Sequence, residues 1–379
     1  MSTTEPIEPT ATRGPVHVVG TGLLGTSVAM ALTARHVPVT LTDVSPSALA
    51  LARDLGAGTV AQPEDDEPAL VVIAAPPDVT AELVAAQLRA HPGAVVTDVA
   101  SVKQIILTEL QQIAAQDEQV DLSRYVGSHP MAGRERSGAG AATADLFIGR
   151  PWVIAAHGAS TSAAVLAIRS LAVDLGASVA TLTAAEHDAA VAVISHLPQL
   201  MASLTAAQLA GAPDHALALA GQGLRDVTRI AASDPRLWSA ILSGNGPAVT
   251  EVLHQVRAGL DDLITAMDAA AQEGPLAPGA VAGISTLIGA GNDGVSRVPG
   301  KHGGAGNRYT EVGVLVPDSP GELGRLFSEI GEIGVNIEDF QMEHSPKQKV
   351  GMAIVSVMPQ TATKLQEALA ERGWRVVAP

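Results

Sequence analysis

The sequence predicts an α/β chain: a doubly wound, largely parallel sheet, then an all-helical part, then a small α+β module. Three observations carry this. From about residue 14 to Thr183, short β-branched runs alternate with amphipathic stretches, the pattern of strands connected by crossover helices. After Ala184 only helical periodicity is found, to about Asn292. The last ~70 residues then restart as strand, helix, strand, strand, helix, strand, the ferredoxin-like order. A chain of 379 residues is also too long for one ordinary core.

The elements follow in order. Residues 1–13, rich in Thr, Pro and Glu, are expected to be a flexible tail and lack the apolar run of a secretory signal. Residues 14–183 hold the runs "VHVVG", "VPVTLTDV", "ALVVIAAPP", "AVVTDVAS", "YVGSHP", "PWVIAAH" and "SVATLT". Helical segments such as "DVTAELVAAQLRAH" and "SVKQIILTELQQIAAQ" lie between several of them. Residues 184–293 form the helical domain, in which Pro198 is expected to end or kink a helix. Residues 294–307, "GVSRVPGKHGGAGN", read as a glycine-rich linker, and 308–379 as the last module.

Composition limits the function. With 47% hydrophobic, 16% charged and 2% aromatic residues, Ala, Val, Leu and Ile must fill the cores. A formal net charge of -16 argues against nucleic acid or an anionic membrane as the main partner. The absence of cysteine removes disulfide and thiolate chemistry. No 18-residue run reads as a membrane span, so a cytoplasmic protein is expected.

Gly20, Gly22 and Gly25 stand directly after the first strand and at the mouth of a helix, as G-x-G-x-x-G requires. The first permits the tight turn, the second lets backbone approach a pyrophosphate, and the third lets helix and strand pack closely. This makes the first domain Rossmann-type. Asp43 ends the second strand, eighteen positions after Gly25, where a carboxylate accepts ribose hydroxyls and repels a 2′-phosphate. NAD is therefore the expected cofactor, with Leu23, Leu24 and Asp98 counted among the residues around it.

Later strand ends carry polar clusters: "TDVASVK" with Asp98, Ser101 and Lys103, and "GSHPMAGRERSG" with Ser128, His129, Arg134 and Glu135. Asp98 and Ser101 have a plainer alternative, capping of the following helix. Gly127, Pro130 and Gly133 hold His129 in a turn at a strand's carboxyl end, where ligands sit in open α/β sheets. In the helical part, His187, Ser195 and His196 lie about two turns apart on an apolar helix, where hydrogen-bonded core histidines outnumber ligands. Arg225 and Arg229 share a face at i, i+4, either as a solvated face or as a carboxylate clamp.

The ordered set Gly20-Thr-Gly-Leu-Leu-Gly25, Asp98-x-x-Ser-Val-Lys103, Ser128-His-Pro-Met-Ala-Gly133, Ser195-His-Leu-Pro198 and Asp226-Val-Thr-Arg-Ile-Ala-x-Ser-Asp-Pro235, with Trp238, resembles the prephenate/arogenate dehydrogenase family over roughly residues 15 to 300. The resemblance implies oxidative decarboxylation of prephenate or arogenate with NAD(P). It implies His129 as acceptor of the hydroxyl proton, with Ser101 on the same hydroxyl. Arg229 would hold a carboxylate, His196 would lie near the substrate side chain, and Trp238 would close the pocket. Arg225, Arg134 and Glu135 are added as substrate-side candidates, and a homodimer through the helical domain is expected.

Three departures bear on substrate choice: Gln199 where many members have a second histidine, Arg134 where many have Thr or Ser, and Gln222 interrupting a glycine run. Prephenate is the leading substrate, arogenate the first alternative. A catalytically silent sensor of NAD and amino acids is the other class, opposed by His129, Ser101 and Arg229 together.

Residues 309–379, with "PDSPGELGRL" and "GVNI", resemble an ACT domain. That resemblance implies amino-acid-binding regulation, with tyrosine the expected effector, against the alternative of a module that only dimerises. The candidate contacts are Asp318, Ser319, Gly321, Glu322, Leu323, Asn336 and Ile337, near a turn whose free N–H groups suit a carboxylate.

Overall fold

The computed structural model describes residues 10–133, 138–298, 309–344 and 350–377. The chain divides into two units, residues 1–256 and 257–379.

The first unit opens with β1 (Val16–Val19), α1 (Leu23–Thr33), β2 (Val39–Thr42), α2 (Pro46–Asp54), β3 (Thr59–Val60), β4 (Leu70–Ile73), α3 (Pro77–Ala90) and β5 (Val95–Asp98). It continues with α4 (Gln104–Ala114), β6 (Tyr125–Pro130), β7 (Pro151–Ala155), α5 (Ser162–Asp174) and β8 (Ser178–Thr181). The strands form one sheet in the order β3-β2-β1-β4-β5-β6-β7-β8. Both faces are covered, so the central strands read as unbroken apolar runs. Val18 and Val72 pack into the core on one face, Val19, Val71 and Ile73 into the core on the other.

Two features of the sheet differ from the sequence reading. The two-residue strand β3 is too short to register as a β-branched run. Strand β7 lies antiparallel to β6, because the described residues between 131 and 150 contain no full crossover helix to return the chain in the parallel sense. The order around β1 puts its neighbours β2 and β4 on opposite sides, the switch point at which open α/β sheets bind ligands. At the N-terminus, Ala11 and Thr12, assigned to a tail by sequence, donate backbone N–H groups to the Asp174 carboxylate at 3.2 and 2.6 Å. Residues 1–9 lie outside the described residues.

Helix α6 (Ala184–Val191) starts at a capping box in which Thr183 and Glu186 satisfy each other's backbone N–H groups. A π-helical turn, Ala192–His196, joins it to α7 (Leu197–Gln208). Pro198 therefore neither ends nor breaks the helix. It lacks the N–H needed for an i→i−4 bond, and the wide turn before it absorbs that loss. By length and a mean hydropathy of 1.4, the stretch Ala184–Gly211 is long and apolar enough to cross a membrane, which the sequence reading did not find. It carries buried His187, Asp188 and His196 and packs against the sheet domain through α4. The short α8 (Asp214–Leu217), α9 (Gln222–Arg229) and α10 (Pro235–Gly244) follow, then α11 (Gly246–Glu273). Asp234 caps α10 by accepting the Arg236 N–H at 2.8 Å.

The second unit contains α12 (Ala280–Ser296), which continues past Gly294, where the linker was expected to begin. Residues 299–308 lie outside the described residues. Then come β9 (Thr310–Pro317), α13 (Glu322–Ile333), β10 (Asp339–His344), β11 (Val350–Val357), α14 (Pro359–Glu371) and β12 (Arg375–Val377). The strands form an antiparallel sheet in the order β10-β11-β9-β12, with Val312, Val314, Leu326, Leu365 and Trp374 in its core.

Candidate active site

The carboxyl ends of β1, β4, β5 and β6 open on one cavity of about 970 Å³, closed on its other side by the π-helical turn and α10. Gly22, Leu23 and Leu24 line it from the first loop. Gly20 has φ +99°, and a Cβ there would run into the Ala74 carbonyl oxygen. A Cβ on Gly25 would meet the Gly20 carbonyl, whereas one on Gly22 would meet open space. The turn and close-packing roles thus fall on the outer glycines, and the middle one faces the cavity. No side chain caps α1 at Gly22, so the first N–H groups of the helix stay available to an anion. Asp43 accepts from Thr21 N–H at 2.6 Å and Thr21 Oγ1 at 2.8 Å, which ties the second-strand acid to the glycine loop. These residues fit a dinucleotide.

Asp98 does not take part. It is fully buried, its Oδ1 paired with the Lys103 ammonium and accepting the Ala100 N–H at 2.9 Å, its Oδ2 accepting the Tyr125 hydroxyl at 2.7 Å. Fully buried and not among the described residues that line the cavity, Asp98 faces these partners, whereas the sequence reading placed it around the cofactor. Burial pushes the Lys103 pKa down while Asp98 opposes the shift, and burial beside Asp98 pushes the Tyr125 hydroxyl well up. This network fixes the end of β5, from which Ser101 reaches the cavity wall. Ser101 makes no capping bond to α4.

His129 lines the same cavity from the end of β6. Its Nδ1 lies 2.8 Å from Nε2 of His187, and His187 Nδ1 lies 2.8 Å from Asp188 Oδ1. Asp188 also accepts the N–H groups of Lys103 and Gln104 at 2.9 and 2.8 Å. Burial, then the neighbouring His187, Lys103 and His196, hold the His129 pKa well below the usual histidine range. The imidazole is thereby kept neutral and able to accept a proton. The sequence reading left His187 as a core histidine and did not find Asp188. Nothing local marks residues brought together across 58 positions.

His196 and Ser195 also line the cavity, turned there by the π-helical turn. His196 Nδ1 is 3.2 Å from Asn245 Nδ2, and its ring stands edge-on to Trp238 at 6.1 Å. Burial is the main cause of its lowered pKa. Trp238 lines the cavity as expected.

The arginines fall out differently. Arg225 and Arg229 lie on α9 with exposed side chains, and neither is among the described residues that line the cavity. Arg236, two positions before Trp238, does line it, and among the described lining residues it is the only lysine or arginine. Arg134 and Glu135 lie outside the described residues. Of the departures, Gln199 is 5% exposed and bonded to Ser203 and Ser233 at 3.3 and 3.2 Å, and Gln222 donates to Asp226 at 2.8 Å.

In the second unit, Gly321 (φ +94°) is the N-cap of α13 and offers no side-chain cap, with exposed Asp318 and Ser319 just before it. Glu322 pairs with Arg325 at 2.7 Å, and Asn336 donates to Glu338 at 2.8 Å. Leu323 and Ile337 pack against the core of that unit.

Residues 28–181 match the family model "Prephenate dehydrogenase, nucleotide-binding domain", and residues 183–277 match "Prephenate dehydrogenase, dimerization domain". The chain is 33% identical over 360 residues to the probable prephenate dehydrogenase NovF of Streptomyces niveus, covering 94% of this chain and 98% of that protein. Among solved structures, the prephenate dehydrogenase of A. aeolicus, in complex with hydroxyphenyl propionate and NAD+, superposes with a TM-score of 0.63 at 24% identity, over 76% of this chain and 99% of that one. The Synechocystis arogenate dehydrogenase does so with a TM-score of 0.58 at 27% identity, over 73% and 99%.

Proposed function

Because the chain belongs to the prephenate dehydrogenase family, we propose that it catalyses the NAD-dependent oxidative decarboxylation of prephenate to 4-hydroxyphenylpyruvate, a step of tyrosine biosynthesis carried out in the cytoplasm. The observation that supports this most is a neutral, partly buried His129 in the cavity that the glycine loop opens on. Bound NAD would supply the hydride acceptor for the ring carbon that bears the hydroxyl, with the ring carboxylate departing as carbon dioxide. His129 accepts the hydroxyl proton and returns it to the phenolate oxygen once the ring is aromatic. Ser101 hydrogen-bonds the same oxygen. Leu23, Leu24, Val99 and Ile241 give the cavity apolar walls that limit water. Asp43 favours NAD over NADP by repelling a 2′-phosphate. A steady-state assay crossing prephenate and arogenate with NAD and NADP tests the reading. NADH formation from arogenate alone would move the substrate, and none from either would leave a sensor.

A dianionic substrate entering an acidic protein needs a cation, and Arg236 is the one among the described residues that line the cavity. We assign it the carboxylate contact that the sequence reading gave to Arg229. Arg236→Ala is expected to raise KM for prephenate about tenfold or more, since a charge-assisted hydrogen bond is worth ~1.5–3 kcal/mol. The affinity for NAD should stay unchanged. A rise seen with Arg229→Ala and not with Arg236→Ala would return the role to Arg229.

The exposed apolar side chains Leu260, Ile264 and Met267 of α11 and Leu287 and Ile288 of α12 are assigned to a homodimer, which a monomeric mass in sedimentation would overturn. The second unit has the strand and helix order of a ferredoxin-like ACT module, and its uncapped α13 N-terminus at Gly321 suits an amino acid's carboxylate. Tyrosine bound there is expected to inhibit without competing with prephenate. Strictly competitive inhibition would place control in the active site and leave the module to assembly.

A further inference from the structure

We propose that Asp188 and Asn245 lock the two cavity histidines in opposite tautomers, so that His129 presents a bare Nε2 that accepts a proton and His196 presents an Nε2–H that donates. The inference rests on the reading of this cavity as the dehydrogenase site only for its use, since the tautomers follow from the hydrogen bonds with one hydrogen on each imidazole.

Two chains of donors and acceptors start at Asp188, which is 4% exposed. Its carboxylate, already taking two backbone N–H groups, can only accept, so His187 Nδ1 at 2.8 Å must carry a hydrogen. Given a single hydrogen on His187, its Nε2 is bare and His129 Nδ1, 2.8 Å away, donates to it. The hydrogen of neutral His129 is thus spent on Nδ1. Its Nε2, the nitrogen left for the cavity, is a free base.

The second chain starts at the Asp188 backbone carbonyl. A carbonyl oxygen accepts, so the Asn245 atom 2.8 Å from it is the amide nitrogen. The second hydrogen of that nitrogen meets His196 Nδ1 at 3.2 Å, which must be bare. Neutral His196 therefore carries its hydrogen on Nε2. One residue thus sets a base on one side of the cavity and a donor on the other. A substrate with a hydroxyl to deprotonate and an anionic side chain to hold needs that pair. Asp188 and Asn245 touch no substrate and are positioning residues, as is His187.

The test is nitrogen-detected imidazole spectroscopy on the full chain, selectively labelled at histidine, which reads each tautomer without depending on activity. His129 is expected as the Nδ1–H form and His196 as the Nε2–H form. His187→Leu should lower kcat roughly 10²-fold with KM little changed, since a misplaced imidazole proton disables a general base. His187→Gln, whose amide oxygen can accept from His129 Nδ1, should recover most of that loss. Asn245→Leu should instead raise KM and give His196 a second tautomer signal. Wild-type spectra with His187 doubly protonated, or His129 carrying its hydrogen on Nε2, would overturn the proposal even if the variants fail to fold. Correct tautomers in a chain with no dehydrogenase activity would leave the proposal standing and remove the assigned function.

Discussion

His129→Asn lowers kcat with prephenate and NAD by ~10²–10⁴-fold while KM changes little, the usual loss for a removed acid–base group. Asparagine keeps a polar side chain in the cavity wall but cannot take up a proton, so binding survives and the chemical step does not. A pH profile supplies the second measurement. Burial, with His187, Lys103 and His196 nearby, lowers the His129 pKa, so the neutral base persists to a pH at which an ordinary histidine is charged. Activity should be lost only as pH falls through that lowered value, which puts the acid limb of kcat/KM below about pH 6.5. A limb at or above that value, or a loss confined to KM, would make His129 a binding residue.

Lys103→Met destabilises the protein by about 3–5 kcal/mol, the cost of leaving one charge of a buried pair without its partner. Lys103 is 2% exposed and Asp98 fully buried, so no water can replace the ammonium. The double variant Lys103→Met/Asp98→Leu should recover part of the loss, because two apolar side chains need no pairing. Recovery stays incomplete, since the Tyr125 hydroxyl and the Ala100 N–H would then lack their acceptor, at about 1–3 kcal/mol each. Urea unfolding of the two variants checks this. If Lys103→Met left stability intact and weakened NAD binding instead, Asp98 would belong with the cofactor after all.

These two variants sit at opposite ends of what could be read from residues alone. His129 could be found because a local signal, a histidine boxed by glycine and proline at a strand's end, coincides with the place where α/β sheets bind ligands. The glycine loop and Asp43 were legible for the same reason: the spacing of Gly20, Gly22 and Gly25 is itself the backbone geometry that a pyrophosphate needs. Asp98 sits in an equally suggestive motif, yet it is buried away from the cavity wall. What decides its role is Tyr125, 27 positions on, whose hydroxyl closes the carboxylate off.

The sequence by itself determined the periodicities, and with them the sheet-forming first part, the strand-free helical stretch and the order of the last six elements. It also determined the glycine turn, because no Cβ fits at Gly20 or Gly25, and the pattern by which the family is recognised. Tertiary structure alone decided the reversal of β7, the π-helical turn that carries Pro198, and the choice of Arg236 rather than Arg229 for the cavity wall. It also decided the chain from Asp188 through His187 to His129. The physical reason is the same in each case. Helices, strands and turns answer to neighbours within a few residues, whereas a proton's position and a charge's environment depend on whatever the fold brings within hydrogen-bonding distance from far along the chain.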